Sequence, residues 1–157
     1  MNPLDPRVTI VWRLSGLILA LPATAIAGLV EAVVLAPEGI RLFAPGVIAG
    51  LVALCTLGFA ILWPGLRYRF WRWGVEDDRV LIEKGVLWRS RSLIPRVRIQ
   101  HVDTRTSPLQ RSLRLASLVI YTAGTRGADV EIPGLAADDA ERLREELARL
   151  EETDDRA

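Results

Sequence analysis

Residues 44–63 read APGVIAGLVALCTLGFAILW, twenty positions without a charge. At about 1.5 Å per residue, a helix of that length covers the roughly 30 Å hydrocarbon layer of a bilayer. A 157-residue protein seldom hides such a helix in a soluble core. Working outward, residues 14–35 form a second apolar stretch, LSGLILALPATAIAGLVEAVVL, whose one charge is Glu31. Pro22 lies inside it, and transmembrane helices tolerate proline as a kink. The stretch exceeds the roughly 7–15 apolar residues of a signal-peptide core, and a second span follows closely, so cleavage is disfavoured. The link, residues 36–42 (APEGIRL), is short enough that the two helices must be antiparallel.

Charge sorts the chain into an N-terminal membrane hairpin over residues 1–66, a cytosolic domain over 67–150 and a polar tail over 151–157. Residues 1–66 carry three basic and three acidic groups, whereas 67–157 hold 17 and 16. Arg7 and Arg13 precede the first span, and Arg67, Arg69 and Arg72 follow the second. The loop has Arg41 alone, so the positive-inside rule places both termini in the cytoplasm. Trp12 and Trp63 fall at that membrane face, Phe43 at the other. Glu31 is the one ionisable group within a span and hence a candidate intramembrane polar site. It lies about one turn from the helix end, where its side chain can also snorkel. Gly46 and Gly50 form a G-x-x-x-G pair, and small residues recur in the first span at Gly16, Ala20, Ala23, Ala27 and Gly28. Both features suit close helix packing.

Beyond residue 66 the pattern shifts to short alternating runs with turn signals. Strands are predicted at Trp71–Val75, Val80–Glu83, Val86–Ile94 and Ile99–Thr106. Asp77-Asp78 forms a turn, and Glu83-Lys84-Gly85 a hairpin connection with left-handed Gly85. Ser107 caps a short helix with Pro108 at its first position. Leu118–Ala123 is apolar on both faces and therefore a central strand. Gly124–Gly127 turns the chain. Asp129–Ile132 alternates, and Pro133-Gly134 ends it. Ala136, Ala140, Leu143, Leu147 and Leu150 form one apolar stripe of a terminal helix.

These residues resemble the bacterial pleckstrin-homology domains of YdbS-like membrane proteins. The matching pieces are Trp73 through Asp78, the Gly85 hairpin, Ile94-Pro95 and Arg98-Ile99-Gln100-His101-Val102. Pro108-Leu109-Gln110-Arg111, Thr122-Ala123-Gly124 and Pro133-Gly134-Leu135 complete them. The resemblance implies a membrane-anchored α+β protein. Its transmembrane hairpin precedes a pleckstrin-homology-like split barrel of seven strands with a C-terminal capping helix. It implies no known chemistry. Relatives often occur with a larger membrane protein bearing several such domains, which implies a membrane-protein partner.

The sequence offers no catalytic set. Cys55 and His101 are the only residues of their types, so no disulfide, zinc cluster or triad can be assembled, and neither a metal nor a cofactor is expected. Gly124-x-x-Gly127 lacks the following Lys-Ser/Thr of a phosphate loop. Charge is more informative. Residues 67–114 hold 12 basic and 5 acidic groups, and residues 115–157 hold 5 and 11. Arg67, Arg69, Arg72, Arg89 and Arg91 are the candidate lipid-facing residues, since a basic juxtamembrane segment is drawn to anionic lipid. The competing account pairs these arginines with Asp138, Asp139, Glu141 and their neighbours. The membrane tether and the acidic C-terminal half argue against nucleic acid. The expected function is that of an interaction module of the bacterial cytoplasmic membrane, not an enzyme, with a protein partner, a second copy or anionic headgroups as ligand. The rival is a small subunit of a transport or channel complex, with Glu31 as the working group.

Overall fold

The computed structural model describes residues 1–35, 46–76, 78–123 and 129–154. The expected turns at Asp77 and Gly124–Gly127, the 36–42 link and Phe43 lie outside them. The chain forms two compact units, Thr9–Gly65 and a second made of Met1–Val8 with Leu66–Ala157.

The first unit is made of two apolar helices, α1 (Val8–Val30) and α2 (Val47–Arg69), without the first residue of α1 and the last four of α2, and a π-helical turn at Glu31–Leu35 follows α1. Among the described residues two stretches are long and apolar enough to cross a membrane, Val8–Val33 and Val47–Arg69. They begin earlier and end later, respectively, than the expected 14–35 and 44–63. The reason is local: Val8–Trp12 is apolar, one arginine does not stop a helix, and Arg67 and Arg69 suit a helix C-terminus. The helices run antiparallel, with Gly16 opposite Ala60 and Gly28 opposite Ala49. A Cβ on Gly16 would come within 2.9 Å of the Ala60 Cβ, so glycine is needed for that approach. Gly46 and Gly50 play no such part among the described residues, none of which lies within 4 Å of a Cβ built on either.

The second unit has two three-stranded antiparallel sheets. One is β1 (Arg72–Val75), β2 (Arg79–Lys84) and β3 (Ser90–Pro95). The other is β4 (Ile99–Arg105), β5 (Leu115–Thr122) and β6 (Val130–Ala136). A 3-10 turn, Arg96–Arg98, links them, and α3 (Pro108–Ser112) precedes β5. The capping box of α3 is complete: Ser107 accepts from the Gln110 amide, and the Gln110 side chain accepts from the Ser107 amide. The Gln110 side-chain amide also donates to Ser117 Oγ at 3.0 Å, satisfying a polar side chain buried in the core. Strand β5 lies between β4 and β6 and is buried from Leu115 to Ile120, as its two apolar faces predict. Helix α4 (Ala137–Asp154) packs on the second sheet through Ala140, Leu143 and Leu147.

Four expectations require correction. Strand β3 starts at Ser90, not Val86, because Lys84 pairs with Ser90 and residues 85–89 form a loop. Gly85 has φ +114°, and a Cβ there would run into the Trp88 carbonyl. Strand β6 continues through Pro133-Gly134 to Ala136. These two residues form a bulge opposite Ser117, between the Leu118–Ile132 and Ala116–Leu135 pairs, with Gly134 at φ +64°. Helix α4 begins after Ala136 and continues to Asp154, into the supposed tail. Finally, six strands stand among the described residues where the resemblance implied seven, and they form two three-stranded sheets, as a split barrel does.

The fifth difference is the domain boundary. Residues 1–8 belong with the sheets rather than with the hairpin. Asn2 pairs with Trp73 on the outer edge of β1, and the Asp5 amide donates to the Gly134 carbonyl of β6 at 2.9 Å. Leu4 and Val8 are fully buried. Val8 packs where a Gly134 side chain would have to be. The N-terminal segment thus runs from one sheet edge to the other, covering ladder groups that would otherwise lie open.

A basic cleft at the end of the second apolar helix

The candidate residues Arg69, Arg72, Arg89 and Arg91 meet around one cleft of about 350 Å³. Phe70, Glu83, Lys84, Gly85 and Ser90 complete its lining. Each wall has a local cause. Arg69 ends α2, and Arg72 opens β1 three residues later. Lys84 and Ser90 are the last paired residues of the β2–β3 hairpin, so the loop brings Arg89 and Arg91 back beside them. The Arg89 guanidinium lies over the Phe70 ring, 5.3 Å from its centroid, which fixes the loop against the helix end. Arg72 donates to the Trp71 carbonyl at 2.7 Å. Arg91 pairs with Glu83, the one acidic residue of the lining.

Five cations and one carboxylate leave the cleft strongly positive. Among the described residues, Arg69, Arg72 and Arg89 form no ion pair with a carboxylate. Three acids of α4 are engaged elsewhere: Asp139 with Arg142, Glu141 with Arg144, and Glu146 with Arg96 at 3.4 Å. Of these only Arg96–Glu146 joins α4 to the basic half of the domain, through the 3-10 turn. Internal pairing therefore accounts for Arg91 but not for Arg69, Arg72 or Arg89. Arg67 lies in the last turn of α2 but does not line the cleft.

Glu31 sits apart, at the other end of the helix pair. Its carboxylate accepts from the Gly46 amide at 2.6 Å and from the Ala49 amide at 3.3 Å. A side chain of one helix thereby caps the N-terminus of the other, satisfying orphan N–H groups in favourable register with the helix dipole. His101 is exposed and stacked on Tyr121, with centroids 4.1 Å apart, and Cys55 is exposed. Among the described residues no group of three or more His, Cys, Asp or Glu side chains could hold a metal.

Sequence reasoning missed a second basic cleft, of about 680 Å³, lined by Arg7, Arg111, Arg114 and Asp138 among others. Arg7 donates to the Leu113 carbonyl at 3.0 Å and to the Asp5 carboxylate at 2.7 Å. The Arg7 side-chain hydrogen bond holds the Asp5 carboxyl below the usual carboxylate range, against the opposing effect of burial. The sequence signal was Asp5-Pro6-Arg7 itself, a charged pair around a proline just ahead of an apolar helix.

The family model for the bacterial PH domain matches residues 14–151, from within α1 to within α4. The chain belongs to the bacterial PH domain family. It is 31% identical over 154 residues to the UPF0699 transmembrane protein YdbS of Bacillus subtilis (strain 168), an alignment covering 95% of this chain and 91% of that protein. It is also 29% identical over 95 residues to the UPF0699 transmembrane protein YdbT of the same organism, covering 57% of this chain and 19% of that one. No solved structure matches the chain. The family match starts after the N-terminal segment that joins the two sheets.

Proposed function

We propose that this bacterial PH protein is a membrane-anchored interaction module whose basic cleft engages the anionic headgroups of the bilayer holding its helix pair. The observation carrying this reading is the meeting of Arg69, Arg72, Lys84, Arg89 and Arg91 around one cleft at the C-terminal end of α2. Arg69 is six residues beyond Trp63 on the same helix. If α2 spans the bilayer, the cleft stands at headgroup level whatever the rest of the domain does. Each basic residue near an anionic surface contributes about 1 kcal/mol of attraction.

Two observations support the membrane anchor. Large apolar side chains of the helix pair are exposed rather than packed, Leu19 and Leu54 each to 70%. The relative YdbS is described as a transmembrane protein. By the arginine count around the spans, both termini face the cytoplasm. A membrane-protein partner or a second copy remains compatible with the module, since a headgroup-bound domain presents its other faces to neighbours. The channel-subunit reading rested on Glu31, and the capping of α2 by that carboxylate gives it an ordinary structural task.

Lys84 is the chain's only lysine and lines the cleft, so its acylation reports headgroup occupancy without any substitution. Full-length protein in nanodiscs should be acylated at Lys84 more slowly when the lipid is anionic than when it is neutral. Salt should narrow the difference, since screening falls from about 10 Å at 0.1 M to about 3 Å at 1 M. Equal rates in both lipids would reject the headgroup reading and favour a protein ligand for the cleft.

A further inference from the structure

The loop beside the basic cleft carries two large apolar residues with no cover. Leu87 is 74% exposed and Trp88 86%. Single exposed hydrophobic residues are ordinary on protein surfaces. These are adjacent, at the tip of a hairpin, and bracketed by Lys84, Arg89 and Arg91. The loop is also shaped tightly, since the Trp88 carbonyl folds over Gly85 in a way that leaves no room for a side chain there. Arg89 ties its far end to Phe70, the residue after α2.

We propose that Leu87 and Trp88 form a wedge that enters the interfacial layer of the bilayer next to the end of α2. The occupant of this surface is lipid, for three reasons. Tryptophan is enriched at the membrane–water interface, where its ring is part apolar and part hydrogen-bonding. The flanking cations suit anionic headgroups just above such a layer. The Arg89–Phe70 contact holds the loop against a residue that directly continues α2, and this keeps the tip near the point where the chain leaves the bilayer. The inference rests on the membrane reading above and adds a contact made by the domain itself, beyond its tether.

The test uses the full chain in anionic nanodiscs in a Cys55→Ala background, with single spin labels at Leu87→Cys, Leu62→Cys and Arg142→Cys. Leu62 is an exposed residue of α2 and Arg142 an exposed residue of α4. Collision rates with oxygen and with a water-soluble nickel chelate report depth. The wedge predicts that position 87 is shielded from nickel several-fold relative to position 142 and gains oxygen contact. It also predicts that adding Trp88→Ala returns position 87 toward water. Aqueous behaviour at 87 with lipid contact at 62 would overturn the wedge and leave the membrane anchor standing. Aqueous behaviour at both 87 and 62 would overturn the two together.

Discussion

Leucine behaves in opposite ways in the two units. In the sheet unit Leu4, Leu115 and Leu118 are almost wholly removed from solvent, whereas in the helix pair Leu19, Leu21 and Leu54 are at least 70% exposed. Both regions obey one rule, that apolar surface leaves water. The sheet unit meets it internally, by packing α4 and the N-terminal segment on its strands. The helix pair meets it only if its surroundings are lipid, since burying apolar surface is worth about 25 cal/mol per Å² and this unit forgoes it. What holds the helices together is instead close approach at Gly16–Ala60 and the Glu31 cap on α2. That is the usual basis of helix association where the solvent itself is apolar.

The sharpest way to break this contrast is one substitution made in both places. Leu118→Ala or Leu4→Ala should destabilise the protein by about 2–5 kcal/mol, because each empties a packed site. Leu54→Ala should stay within about 0.5 kcal/mol in detergent or lipid melts, as for exposed positions generally. Comparable losses at Leu54 would mean that α2 is packed in a protein core. Next in size is glycine to alanine. Gly134→Ala should cost about 1–3 kcal/mol, since its Cβ meets Val8 and its φ is positive. Gly50→Ala has open space and should be neutral or stabilising by up to about 1 kcal/mol. Equal effects at the two positions, in paired thermal melts, would contradict the assignment of residues 1–8 to the sheet unit.

The smallest expected effect concerns pH. Asp5 is held ionised by Arg7, so its folded pKa is below the unfolded value of about 3.9. The corresponding stability is present above that value and is lost as pH falls through the lower folded pKa. Arg7→Gln should therefore flatten the acid limb of a stability curve below about pH 4 and leave its shape near neutrality unchanged. An unaltered acid limb would show that the pair does not hold the N-terminal segment in place.

Much of this was legible in local pattern. The two apolar helices, the α3 cap, the doubly buried β5 and the α4 stripe each follow from a few neighbouring residues. Four of the five basic candidates also fall in one cleft, because the Gly85 hairpin and the α2–β1 connection are short. The failures share a physical cause, which is that the deciding contact is distant in sequence. Nothing within residues 1–8 announces that Leu4 and Val8 are core. The segment is placed by backbone pairs of Asn2 with Trp73 and of Asp5 with Gly134, and Val8 packs over Gly134. Pro133-Gly134 reads locally as a breaker, yet β5 and the Asp5 amide keep the strand paired on either side of a bulge. Glu31 reads as an isolated membrane charge until α2 brings two free amides to it. The loop was misread as strand because Val86, Leu87 and Trp88 are good strand formers, and only the closure over Gly85 excludes them.

In the proposed arrangement one unit lies in lipid and the other meets its anionic surface through the cleft beside Arg69. Amide hydrogen exchange on the full chain in nanodiscs, neutral against anionic, tests both halves at once. Slow exchange is expected along α1 and α2 in either lipid, and slower exchange at residues 83–91 in anionic lipid only. Fast exchange along α1 and α2, or no dependence on lipid charge at residues 83–91, would contradict it.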